Sequence, residues 1–196
     1  MSRQGLSLAI IIGFFTLASG CGYNRIQGLD EDIKASWGEV LNQYQRRTDL
    51  IPNLVSTVKG YAKHESETFE NVVNARAKAT SVTIQAKDLS NAEAFKKFQA
   101  AQGELGQALG RLMAISENYP QLKANENFRD LQSQLEGTEN RIAVARKRYI
   151  ESVAEYNKLV RFFPTNLTAK FLLHAELKET FTIEEAAKKV PEVKFE

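Results

Sequence analysis

From Ile26 onward, apolar residues recur at steps of three and four: Ile26, Leu29, Ile33, Trp37, Leu41 and Tyr44, then Ile51, Leu54, Val58, Tyr61, Phe69 and Val72. Such steps keep side chains on one face of a 3.6-residue turn, so the pattern predicts a long amphipathic helix. Its stripe continues over roughly fifty residues, which is on the order of 75 Å if unbroken. Only the stretches around Thr48 and Glu65 lack a bulky member. Pro52 cannot donate to the carbonyl four residues back, and its ring crowds that turn, so a kink is expected there. The alternative is a fresh helix capped by Asp49, with Pro52 in its first turn. The stripe keeps its phase through the proline, which favours one kinked helix.

The stretch "ATSVTIQAKDLS" has no sustained period and reads as a connection. Ser90 and Glu93 have capping-box spacing ahead of a second helix. That helix carries Phe95, Phe98, Leu105, Leu109, Leu112 and Met113, and Pro120 is expected to stop it. Gly103, Gly106 and Gly110 lie inside it, each costing about 1 kcal/mol relative to alanine. Close approach of a neighbouring helix is the expected compensation, with a functional hinge as the alternative. A third helix shows a heptad seam: Phe128, Leu135, Ile142, Tyr149, Tyr156 and Phe163. Leu131, Thr138, Ala145, Ser152 and Leu159 fill its second position, where small residues admit a close partner helix. "NLTAKFLLH" reads as a short fourth helix, and Thr182 with Glu185 opens a tail that begins with one or two helical turns. The expected class is therefore all-α: an elongated antiparallel bundle of three long helices plus a short C-terminal helix.

The first 21 residues are of a different kind. "LSLAIIIGFFTLASG" runs from Leu6 to Gly20 without a charge, behind Arg3. A comfortable transmembrane helix needs about 20 apolar residues. This run is shorter and ends in small residues, as a signal peptide does. "ASGC" is similar to a bacterial lipobox, which makes Cys21 the candidate lipid-attachment residue. Its thiol would take a diacylglyceryl group as a thioether, and two or more acyl chains hold a protein on a bilayer. The alternative is an uncleaved signal anchor with Cys21 as a bystander; a buried core helix is a third reading. Both membrane readings place the chain beyond Gly22 on the extracytoplasmic side, because Arg3 stays inside. The expected division is a signal or anchor segment at 1–20, a bundle at 21–180 and a tail at 181–196.

Composition narrows the chemistry. The 26 basic and 24 acidic residues nearly cancel, with no basic stripe for nucleic acid. A lone cysteine excludes an internal disulfide. His64 lacks the second histidine of a zinc-protease helix. The residues three before His64 and His174 are Tyr61 and Phe171, so the Glu-x-x-His pairs of di-iron bundles are missing as well. No catalytic residue, metal ligand or cofactor is expected. Arg46, Arg47, Asp49, Pro52 and Asn53 form the candidate kink or interaction group: Arg46 or Arg47 pairs with Asp49 across the kink, and Asn53 bonds the carbonyl that Pro52 frees near Thr48. The alternative for this group is a surface for self-association or a partner, through an arginine–carboxylate pair.

"NQYQRRTDLIPNLVSTVKGYAKHE" resembles the LemA family of bacterial envelope proteins. "CGYNRIQGLDEDIKASWGEVLNQYQRR" before it, "NARAKA" after it and "YNKLVRFFP" near Pro164 fit the same resemblance, which thins after about Thr180. It implies a membrane-attached, elongated helical bundle with no established biochemical activity, sitting in the inner membrane or carried as a lipoprotein. Genes of that family often accompany those of a membrane zinc metalloprotease and other envelope proteins, which implies partners of that kind. Two function classes follow. One is a membrane-tethered scaffold or interaction protein that forms homo-oligomers, since tethering raises effective concentration. The other is an enzyme or a cofactor- or lipid-binding protein that uses the bundle interior.

Overall fold

The computed structural model describes the backbone of residues 3–182 and the side chains of residues 22–182. The described residues contain six α-helices and one 3-10 turn, with no strand among them, in agreement with the expected all-α class. They are α1 (Arg3–Tyr61), α2 (Ser66–Ser81), α3 (Ala92–Ser116), α4 (Pro120–Ala124), α5 (Glu126–Arg161) and α6 (Thr165–Phe171). Among the described residues no helix is long and apolar enough to cross a membrane. The signal-peptide or anchor reading of 1–20, the lipidation of Cys21 and the helical turns after Thr182 concern side chains or segments outside the described residues.

The single-helix reading through Pro52 holds, since α1 runs unbroken past it. Its extension to Val72 does not. "KHESE" after Ala62 offers nothing apolar to bury, and Lys63 and His64 form a turn. The chain reverses there, and Phe69 and Val72 belong to α2, which folds back on α1. The bundle therefore has four substantial helices instead of three. α3 runs parallel to α1, and α5 runs antiparallel to it for most of its length. At one end Asn125 donates to the Tyr61 hydroxyl at 3.0 Å. At the other end α1 meets α6, where a Cβ on Gly22 would lie 2.8 Å from Thr165 Cγ2. From Gly22 to Tyr61 the rod measures about 60 Å.

Local chemistry explains the helix ends. Asn91, not Ser90, caps α3 by accepting from the Ala94 amide at 3.0 Å. Asn125 caps α5 through the Phe128 amide at 2.9 Å. Pro120 sits at the start of α4, where its missing N–H is no loss, so it opens a helix as well as following one. On α3, a Cβ at Gly106 or Gly110 would meet nothing within 4 Å, so close helix approach does not account for either glycine.

Two apolar cores lie end to end. The first joins Ile26–Tyr44 of α1, Phe95 and Phe98 of α3, and Ile142–Tyr156 of α5. Trp37 is its centre, with the rings of Phe95, Phe98 and Tyr149 at 5.7, 5.3 and 5.1 Å. The second joins Ile51–Val58 with α2, the C-terminal half of α3, Leu122 of α4, and Phe128 and Leu135 of α5. The first-position residues of the α5 seam are buried from Phe128 to Tyr156, but Phe163 beyond them is 80% exposed, because α5 has ended and no helix among the described residues covers it.

After α6 the chain returns as an irregular strap along α5. The Asn157 amide brackets Lys178, donating to its carbonyl and accepting from its N–H, both at 2.9 Å. Tyr149 donates to the Glu179 carbonyl at 2.8 Å. Phe181 then enters the Trp37 cluster, 5.0 Å from the Phe95 ring.

Candidate functional site

Between the two cores lies a polar junction. Arg47 is on the buried stripe of α1, three residues after Tyr44 and four before Ile51, and is only 3% exposed. Its Nη1 donates to Glu139 of α5 at 3.1 Å. Its Nη2 donates to the Gln102 side chain at 2.6 Å and to the Gln102 carbonyl at 3.2 Å, on α3. Gln102 in turn donates to the Ala79 carbonyl at the end of α2, at 3.2 Å. One guanidinium thus links α1, α3 and α5, and Gln102 extends the link to α2. The planar fork suits this, since it holds several acceptors in fixed directions. The guanidinium also stands 5.0 Å from the Tyr44 ring centre, and its Nε has no partner among the described residues.

The carbonyl that Pro52 frees is that of Thr48, and its donor comes from another helix. Arg76 Nε of α2 reaches it at 3.1 Å. Thr48 itself is buried and donates to the Tyr44 carbonyl at 2.9 Å. The proline defect in α1 is therefore also a docking point for α2.

The other candidate residues lie elsewhere. Arg46 is exposed. Asp49 is exposed and accepts from Gln45 at 2.7 Å, not from an arginine. Asn53 is exposed beside a shallow groove with Thr57 and Gln134. His64 lies in the α1–α2 turn, and exposed His174 follows α6 with φ 47°. Of the five candidates, only Arg47 and the Pro52 defect take part in hydrogen bonds between helices among the described residues, in two neighbouring sets. Their partners are Gln102, Glu139 and Arg76, and sequence reasoning missed all three. Gln102 left a signal: it falls between Phe98 and Leu105 at helical spacing, a polar residue on an apolar stripe.

Beside the junction a groove opens between α3 and α5, lined by Gln99, Gly103, Glu139, Arg146 and Thr182. Arg146 lies 4.3 Å from the Phe181 ring centre. Burial pushes the Tyr44 hydroxyl above its usual range, against the pull of the Arg146 and Arg47 charges. Among the described residues no cluster of three or more His, Cys, Asp or Glu is placed to hold a metal.

A four-helix rod with a polar clamp between two cores defines a class of elongated helical-bundle protein. The LemA family matches residues 36–195, and the chain belongs to that family. It is also similar to the magnetosome protein MamQ of Magnetospirillum gryphiswaldense, at 28% identity over 180 residues, covering 84% of this chain and 66% of that protein. The magnetosome proteins MamQ 1 and MamQ 2 of Paramagnetospirillum magneticum are 28% identical over 163 residues, 75% of this chain and 60% of theirs. The chain thus spans less than two thirds of the length of these relatives.

Proposed function

We propose that this protein is a membrane-tethered, extracytoplasmic scaffold or interaction protein of the bacterial envelope, without catalysis of its own. The observation that carries this reading is the construction of α1. One continuous helix joins the uncharged run 6–20 to a rod whose polar centre is engaged in linking its own helices. A rod fixed at one end to a bilayer is confined to two dimensions, which raises the effective concentration of copies and favours lateral assembly into homo-oligomers. The magnetosome relatives are named for a cellular structure and not for a reaction, which suits a role in assembly. Other envelope proteins, a membrane metalloprotease among them, are the partners this reading allows.

Intact mass spectrometry of protein extracted from membranes, together with its mass in detergent, tests the reading. The expected result is a membrane-fraction protein, either cleaved and acylated at Cys21 or carrying its full N-terminus, and larger than one chain. An unmodified monomer in the soluble fraction would overturn it.

A further inference from the structure

The Gly22 end of the rod carries a surface that the bundle does not use. Phe162, Phe163, Leu167, Phe171 and Leu172 all point outward from α6 and its two flanking turns. Phe171 and Leu172 are 66% and 60% exposed. Large apolar side chains are scattered singly over the rest of the described surface, which needs no explanation; a cluster this dense does.

Two further observations indicate what covers it. The first is position. Thr165 packs on Gly22, so tightly that a Cβ there would come within 2.8 Å of its methyl group. Gly22 follows the uncharged run 6–20 by two residues, about 3 Å along a helix axis. The patch therefore stands beside the point where that run joins the rod. The second is charge. From Tyr156 to Ala175 the chain contains Lys158, Arg161 and Lys170 and no acidic residue, although acids and bases nearly balance overall. None of the three pairs with a carboxylate among the described residues, and Lys170 Nζ instead lies 5.7 Å from the Phe171 ring centre.

We infer that this aromatic and cationic end of the rod seats in the headgroup–acyl boundary of an anionic phospholipid bilayer. Apolar side chains enter the boundary, while the long stems of lysine and arginine let their charges stay among lipid phosphates. A second copy fits the patch less well, because apposing two such ends brings cations against cations. The inference rests on the proposed tether and adds to it a second contact, one that sets the attitude of the rod to the membrane.

The test adds one tryptophan to the full chain at Phe163→Trp, Phe171→Trp or Gln121→Trp, the last at the far end of the rod. Each variant is reconstituted in phosphatidylcholine–phosphatidylglycerol vesicles with brominated acyl chains. The parent, whose one tryptophan Trp37 is buried, sets the baseline. The expected result is flotation of every variant, with strong bromine quenching of the emission added at 163 and 171 and none at 121. Adding Arg161→Glu and Lys170→Glu to Phe171→Trp is expected to remove most of its quenching while the chain still floats. Floating variants unquenched at 163 and 171 overturn the inference and leave the tether standing. A blue shift that rises with protein density but is not quenched means that another copy covers the face, and also overturns it. Chains that fail to float overturn the tether and the inference with it.

Discussion

Arg47 occupies a position on α1 where leucine or isoleucine would be ordinary, between Tyr44 and Ile51. Its desolvation is offset by acceptors from two other helices, and its Glu139 partner stays 46% exposed and so keeps part of its hydration. Removing the arginine leaves the Gln102 Oε1 without its donor and opens a cavity between the cores. We expect Arg47→Ala to cost about 2–3 kcal/mol, read from the denaturant midpoint. Arg47→Lys should recover little of it, because a point charge cannot reach Glu139 and Gln102 together. Asp49→Ala, on the exposed face, should stay within about 0.5 kcal/mol of the parent. Equal losses for Asp49→Ala and Arg47→Ala would show that the clamp is misplaced.

At the scale of elements, caps set where helices begin, and glycines without neighbours weaken a helix from within. Gly106 and Gly110 lie in the interior of α3 with open space where a side chain would go. Alanine at either position should therefore stabilise by about 0.5–1 kcal/mol, by narrowing the unfolded ensemble and favouring helix. Thermal melting of the single and double variants checks this, and a loss on Gly106→Ala would mean that the open space is occupied in solution. Asn91→Ala should cost about 1 kcal/mol by leaving the Ala94 amide without its acceptor, and Ser90→Ala much less. The same logic runs the other way at Gly22, where alanine would push against Thr165 and lift α6 from α1.

For the whole molecule, the two cores respond differently to alkali. Tyr44, Tyr149 and Tyr156 all sit in the core built around Trp37. Burial pushes each hydroxyl above its ordinary value; for Tyr149 and Tyr156 nearby carboxylates push further, and for Tyr44 arginines oppose. A tyrosine raised in the folded state is favoured in its neutral form, so its contribution is complete below about pH 10 and is lost as pH rises through the folded value. Stability should therefore hold to about pH 10 and then fall. Trp37 emission should change before the far-ultraviolet helix signal, because the described core around Ile51–Leu112 has only the half-buried Tyr119 at its edge, whereas three tyrosines are buried around Trp37. Coincident transitions would show that the two cores unfold as one unit.

The all-α class, the α5 seam, the connection after α2 and the continuity of α1 through Pro52 were all legible in the chain, because each rests on periodicity or backbone chemistry within a few residues. The reversal at Lys63 and His64 was harder to read, since the apolar phase resumes at Phe69 and a local pattern cannot distinguish a straight continuation from a fold-back. The identity of the donor to the Thr48 carbonyl lay beyond any local reading. Asn53 is one residue from Pro52, whereas Arg76 is 28 residues from Thr48 and arrives only because α2 has turned back. Arg47, Gln102 and Glu139 likewise meet across 55 and 92 residues of chain. Periodicity determined which faces are greasy. Tertiary packing decided which polar atoms on those faces find one another, because a buried hydrogen bond depends on distance in space and not along the chain.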